Sequence, residues 1–319
     1  MTKACIASLG SINADFQVRV PRPLEAGTTL IATDFLPQGG GKAANVAFLA
    51  RRLGAAATLI GRVGSDALGE QAMAPLRGQG IDLSHVSRAQ EPTAVSMIAV
   101  PPGGKKGIVL ANNANDCWDD AAVADAVAAI EALDPGSVLV ADYEIPPALV
   151  ERAVEAAGRR GVRVVIDPSP PERADAAVLA RAHAIAPDAA EASVLSGVSV
   201  KDEDSAAAAA GGLAALGIPI VCIKLADGGC LLAHGGRSTL IPAEPVTAVD
   251  ATGAGDAFTG ALAVALLEGR DPLAAACFAV AASTCAVTGY GSQPAYPDRA
   301  GVEARMPWFA AGGRPRVRR

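Results

Sequence analysis

Three short segments carry residue types that could do chemistry. The most informative runs Val249-Asp250-Ala251-Thr252-Gly253-Ala254-Gly255-Asp256-Ala257-Phe258-Thr259-Gly260 and continues as an apolar stretch to Leu267. Small residues at 253–255, at the start of a helix, let backbone N–H groups converge on one point, which suits phosphate oxygens. Asp256 falls in the first turn of that helix, with its carboxylate beside the same point. In phosphoryl transfer the protein mainly positions the nucleophile and spreads charge. A carboxylate next to an anion hole can take the proton of an attacking hydroxyl while the N–H groups hold the transferred group. The plainer reading is a glycine turn followed by an acid that complements the helix dipole. The length of the whole segment favours the chemical reading.

Two further segments hold groups that recognise hydroxyls. Gln38-Gly39-Gly40-Gly41-Lys42-Ala43-Ala44-Asn45 opens a helix, and its glycines permit close backbone approach to a polyhydroxy ligand or an anion. Gly39, Gly41 and Ala44 also match a dinucleotide fingerprint, but that pattern expects an acid about 20 positions on. The chain there reads Leu59-Ile60-Gly61-Arg62. Nor is this a Walker A loop, since Ala43 stands where Ser or Thr should follow the lysine. The third segment, Gly10-Ser11-Ile12-Asn13-Ala14-Asp15, follows the first apolar run. Asn13 and Asp15, two apart, put an amide and a carboxylate on one side of a loop, a pairing for vicinal hydroxyls. An ordinary Asx turn is the alternative.

These segments need a scaffold to bring them together. With 319 residues, 51% of them hydrophobic, the chain can bury a large core without metal or disulfide staples. Strands are expected at Cys5–Leu9, Val138–Ala141, Val162–Ile166, Ala184–Ala186 and Ile220–Lys224. Helices are expected at Ala43–Leu53, Ala121–Leu133, Pro147–Arg159, Asp188–Ser196 and Ser205–Leu216. Strand and helix in alternation imply right-handed crossovers and an α/β fold, a mostly parallel sheet with helices on both faces. Two-residue alternation at Phe16–Val20, Thr28–Thr33, Ala94–Val100 and Gly107–Leu110 suits a small antiparallel sheet with one wet face. It reads as a lid inserted at about 14–36 and 92–112 into a single domain spanning 1–319. Ligands of such folds lie beyond the carboxyl ends of the strands, where the three segments should collect.

Composition excludes several classes. A net charge of −6 and a pI near 5.2 argue against a nucleic-acid partner. The one basic cluster, Arg314 to Arg319, reads as a frayed tail. The longest uncharged stretch, Pro272 to Pro297, has an apolar part too short for the ~20 residues of a membrane span, so it reads as a buried helix. Six scattered cysteines without a C-x-x-C pair, and no signal-peptide pattern, point to the reducing cytoplasm. The three histidines lie near no Ser or Cys motif, which argues against a histidine-based triad.

The three segments, in this order and separation, resemble the ribokinase-like (phosphofructokinase-B) carbohydrate kinases from Gly10 to Pro294. The resemblance implies a three-layer α/β/α fold with a β lid, and a homodimer formed through the lid. It implies transfer of the γ-phosphoryl of ATP to a sugar's primary hydroxyl, with Mg²⁺ carried by the nucleotide and K⁺ as activator. Asp256 resembles the catalytic base, and Gly253, Ala254 and Gly255 the anion hole. Asn13, Asp15, Gly41, Lys42 and Asn45 resemble the sugar cradle, and Glu144 its far wall. Lys224, Leu225, Ala226, Asp227, Gly228 and Gly229 resemble the adenine and ribose loop, with Val280 beside the base. Asp250, Thr252, Ala286, Gly289 and Gly291 match the positions that offer oxygens to the monovalent cation. The family's Asn-x-x-Glu motif, which orders magnesium and phosphate, reads Asp188-Ala189-Ala190-Glu191 here. Ala295 stands where a cation-site hydroxyl is expected, and Ala226 and Val280 replace residues often polar or glycine. The intact sugar set favours D-ribose, giving ribose 5-phosphate. The alternatives are a kinase of the same family for fructose, a keto-deoxy sugar acid or a nucleoside, or a non-catalytic sugar-binding protein.

Overall fold

The computed structural model describes residues 4–104 and 106–318. The chain opens with β1 (Ile6–Leu9), β2 (Asn13–Arg19), β3 (Leu36–Gly40), α1 (Lys42–Arg52), β4 (Ala57–Gly64), α2 (Ala67–Gly78) and β5 (Asp82–Ala89). Next come β6 (Ala94–Val100), β7 (Gly107–Ala111), α3 (Asp120–Glu131), β8 (Val138–Asp142), α4 (Pro147–Arg160), β9 (Arg163–Asp167), α5 (Ala176–Leu179) and β10 (Ala184–Ile185). It ends with α6 (Ala189–Ser196), α7 (Glu203–Ala214), β11 (Ile220–Lys224), β12 (Cys230–His234), β13 (Arg237–Ile241), α8 (Ala254–Leu267), α9 (Pro272–Ala286), α10 (Arg299–Arg305) and β14 (Arg316–Arg318).

Ten strands form one sheet in the order β14-β13-β12-β11-β10-β9-β8-β1-β4-β5. Every pair from β11 to β5 is parallel, while β11 to β14 form an antiparallel edge. Successive side chains of a strand point to opposite faces, so the sheet feeds two cores. Ile6, Val138 and Val165 pack with α1, α8 and α9 on one side. Ala7, Leu139, Val164 and Ile166 pack with α3, α4 and α7 on the other. Helix α8 is buried from Asp256 to Leu266, as a helix apolar all round must be. The uncharged stretch beginning at Pro272 is likewise the buried helix α9.

Four strands form a separate small sheet in the order β3-β2-β6-β7. It differs from expectation in two ways. Its central pair, β2 with β6, is parallel, because the chain leaves after β3 to build α1, β4, α2 and β5 before returning in the same direction. Residues 28–33 form no strand, since Leu36–Gly40 takes that place and pairs Asn13 with Gly40. The glycine-rich second segment is therefore half strand and half helix start. The basic tail also differs: Arg316–Arg318 extends the main sheet along β13, and Arg318 pairs with Glu203 and Asp204. Among the described residues no helix is long and apolar enough to cross a membrane.

Candidate active site

The parallel strands end in chemistry. Asp142 closes β8 and Asp167 closes β9, side by side in register, and Lys224 closes β11. Helices α1 and α8 start at the same edge, each after a glycine in the left-handed region. Gly41 has φ 91° and a Cβ there would lie 2.5 Å from the Ser11 carbonyl oxygen; Gly253 has φ 72° and a Cβ there would lie 2.5 Å from the Tyr296 hydroxyl. Both the conformation and the close approach exclude other residues.

Asp256 is 8% exposed and held from two sides. Asn45 Nδ2 donates to its Oδ2 at 2.8 Å, and Lys42 Nζ lies 3.5 Å from its Oδ1. Lys42 Nζ also reaches Asp167 Oδ1 at 3.2 Å, while Lys224 Nζ and Thr259 Oγ1 reach Asp167 Oδ2 at 3.2 and 3.0 Å. Burial by itself would raise the Asp167 carboxyl, but the Lys224 and Lys42 ammoniums outweigh it and hold it at about 2. Burial by itself would lower the Lys42 ammonium, and Asp167 with Asp256 hold it well above its ordinary value. Lys42, Asp142, Asp167 and Asp256 line one small cavity together with Ser8.

The small sheet covers this edge. Along β2, Asn13, Asp15 and Gln17 share the buried face. Asn13 donates to Ser96 Oγ at 3.1 Å and accepts from Asn115 Nδ2 at 2.8 Å. Burial pushes the Asp15 carboxyl up to about 7, and it also raises that of Glu144. Asp15 Oδ1 and Glu144 Oε2 are buried with no donor among the described residues. Buried acceptors are almost always paired, so these two oxygens, on residues expected to hold sugar, stand out as acceptors without a donor. Asn45, expected to touch sugar, also holds Asp256: its Nδ2 donates to Asp256 Oδ2 at 2.8 Å and its Oδ1 accepts from Gln293 Nε2 at 3.1 Å, which leaves one Nδ2 hydrogen for a further acceptor.

On the nucleotide side, Lys224 to Gly229 form a tight turn, closed by Leu225 N to Gly229 O at 2.9 Å and Gly229 N to Asp227 Oδ1 at 2.9 Å. Ala226, Asp227 and Gly228 are exposed there. Val280 departs from expectation: it is completely buried in the apolar core and presents no surface to a base. Asp188 and Glu191 cap α6 reciprocally, Asp188 N to Glu191 Oε2 at 2.7 Å and Glu191 N to Asp188 Oδ1 at 2.8 Å. The cap leaves Asp188 Oδ2 and Glu191 Oε1 for other partners. Among the described residues no cluster of three or more His, Cys, Asp or Glu could hold a metal. A Mg²⁺ ion bound through nucleotide phosphates and one or two carboxylates needs no such cluster, so Asp188 and Glu191 fit that mode.

The expected monovalent-cation residues behave differently. Asp250 is wholly buried, and its Oδ1 accepts from Thr252 N at 2.9 Å and Thr252 Oγ1 at 2.7 Å. Its Oδ2 accepts from Gln17 Nε2 at 2.6 Å and Gly291 N at 2.9 Å. A carboxylate has about four lone-pair sites, so Asp250 offers a cation none without releasing a donor. Gly289 lies against Ala295, whose methyl brings no oxygen. The residues here do not fit a cation held through Asp250.

Several of these groups went unread in the sequence. Asp142 and Asp167 had a usable signal: an acid directly after a buried parallel strand lies at the ligand end of the sheet. Gln17 continues the two-residue spacing of Asn13 and Asp15. Ser96, Asn115, Gln293 and Lys106, whose Nζ donates to the Ala251 carbonyl at 3.2 Å, had none.

A basic and acidic cluster at the strand ends, a covering sheet and a glycine-started helix bearing Asp256 define a phosphotransferase acting on an alcohol. Residues 3–299 match the pfkB family carbohydrate kinase profile. The chain is 37% identical to a ribokinase of Haemophilus influenzae over 292 residues, covering 91% of this chain and 94% of that protein. It is 29% identical over 294 residues to a deoxyribokinase of Salmonella typhimurium, covering 92% and 95%. A ribokinase of Arabidopsis thaliana solved with ribose and ATP superposes with a TM-score of 0.80 at 28% identity, covering 96% of this chain and 99% of that one. The chain belongs to the pfkB family of carbohydrate kinases.

Proposed function

We propose that this protein transfers the γ-phosphoryl group of ATP to the primary hydroxyl of D-ribose, giving ribose 5-phosphate and ADP. The observation that carries the reading is the placement of Asp256. It lies in the first turn of α8 beside Gly255, tied to Asn45 and Lys42, with the donorless oxygens of Asp15 and Glu144 supplied by the covering sheet and the β8 end. A sugar's hydroxyls are the donors those two buried acceptors need.

In this reading Asn13, Asp15, Gly41, Lys42, Asn45 and Glu144 hold the sugar, and Asp256 takes the proton of the primary hydroxyl. The hydroxyl oxygen forms the new bond to phosphorus as the bond to the ADP oxygen breaks. A sugar hydroxyl is a weak acid, so the proton moves late, once phosphorus has begun to draw electrons from the oxygen. The N–H groups at Gly253, Ala254 and Gly255 receive the charge on the transferred group. Lys42 keeps Asp256 and Asp167 compensated, and Lys224 ties the nucleotide turn to the same acid. A Mg²⁺ ion carried by ATP, near Asp188 and Glu191, would neutralise phosphate charge.

The whole chain acts as one kinase domain with the small sheet as lid. The lid's outer face carries Met97 and Val109, 63% and 70% exposed, with Phe35 stacked on Phe16 at its edge. We assign that apolar patch to a second copy of the chain. ATP as substrate and six free thiols suit the cytoplasm.

The test is ADP release with MgATP against a panel of ribose, 2-deoxyribose, fructose, keto-deoxy sugar acids and nucleosides. The highest kcat/KM is expected for ribose; a sugar-binding protein without catalysis would release none. Asp256→Ala is expected to lower kcat by roughly three orders of magnitude or more while nucleotide still binds. Near-normal turnover in that variant would remove Asp256 from the chemistry.

A further inference from the structure

Asp250 is the one acid in the loop where the family resemblance implies a monovalent cation. Its four hydrogen bonds come from two directions. Three donors, Thr252 N, Thr252 Oγ1 and Gly291 N, belong to loops of the main body. The fourth and shortest comes from the small sheet, Gln17 Nε2 at 2.6 Å. Gln17 has no exposed surface, and its side-chain oxygen accepts from Gln38 Nε2 at 3.2 Å. Gln38 Oε1 in turn accepts from Ser292 N at 3.3 Å. Two lid amides thus run from the Ser292 backbone to Asp250, each oriented by its neighbour.

A cation reaching Asp250 would have to displace the Gln17 amide and leave it buried without a partner, which is unfavourable. The same loop already meets a lysine side chain. Lys106, just before β7, donates from Nζ to the carbonyl of Ala251, next to Asp250 and two residues before Gly253. The lid also grips the neighbouring loop, with Arg19 stacked over the Tyr290 ring at 3.9 Å and Tyr290 donating to Asp34 at 3.0 Å.

We propose that in this chain Gln17 and Lys106 take the place of the monovalent cation, Gln17 by ordering Asp250 and Lys106 by supplying charge beside the anion-binding turn. Turnover is therefore independent of K⁺. The inference rests on the sugar-kinase reading, and the experiment keeps the two apart.

Turnover of ribose with MgATP is compared in tetramethylammonium chloride and in KCl at equal ionic strength, and Tm is recorded in both salts. The wild-type chain is expected to differ by less than about twofold in rate, with no Tm shift, because a ligand that does not bind the native state does not stabilise it. A rate increase of about tenfold or more in KCl, with a higher Tm, overturns the proposal. Gln17→Leu frees one lone pair of Asp250 and is expected to acquire both responses to K⁺. A folded, active Q17L indifferent to K⁺ would show that Gln17 is not the replacement; if Q17L does not fold, the wild-type comparison decides. Absence of phosphorylation of any sugar in either salt would instead remove the kinase reading, while the Tm comparison would still report on the cation.

Discussion

Asp15→Asn separates the two roles of a buried acid. Holding the Asp15 carboxyl at about 7 rather than its ordinary 3.8 makes its ionised form roughly 4 kcal/mol costlier in the folded chain at 1.36 kcal/mol per pH unit. The folded state therefore binds a proton that the unfolded state has released between those two values. Stability from this group is full below 3.8, falls as pH rises towards 7, and is flat above. An asparagine has no such slope. The difference in unfolding free energy, variant minus wild type, should be near zero at pH 4 and reach roughly 2–4 kcal/mol in favour of the variant at pH 8. Asp142 and Glu144, also raised by burial, are present in both proteins, so their own slopes largely cancel in the difference. Urea unfolding at a series of pH values measures it. Activity should move the other way: losing a charged acceptor for sugar hydroxyls is worth about 1.5–3 kcal/mol, a ten- to hundredfold fall in kcat/KM for ribose. A variant less stable than wild type at pH 8, or a difference that does not change with pH, would refute the account of Asp15 as a desolvated acid.

Two other perturbations test separate parts of the site. Asp188→Asn keeps an equally good helix cap and removes one negative charge near the expected phosphates. Tm should hold while KM for MgATP rises about fivefold at low salt, as expected for roughly 1 kcal/mol of lost attraction to the nucleotide's Mg²⁺; an unchanged or lower KM would place the metal elsewhere. Val109→Glu puts a charge at the centre of the exposed lid patch and should give a monomer in sedimentation velocity where the parent is a dimer. A parent chain that sediments as a monomer would remove the lid from any interface.

The sequence by itself determined the α/β class, since a run such as Val138–Ala141 followed by the helix at Pro147 can be buried in few other ways. It also determined the catalytic candidate, because the Gly253–Asp256 spacing fixes a helix start and an acid in its first turn. Local order was enough for both. Tertiary structure decided what those groups touch. Lys42 and Lys224 are 182 residues apart, yet both close on Asp167, because β9 lies between their elements at the ligand edge. The family resemblance set Val280 beside the base, but the packing of α9 turned it into the core. Asp250 kept the identity of a cation ligand, and only the meeting of two sheets revealed that Gln17 occupies its last acceptor site. Such pairings depend on distances across the fold, which local spacing does not encode.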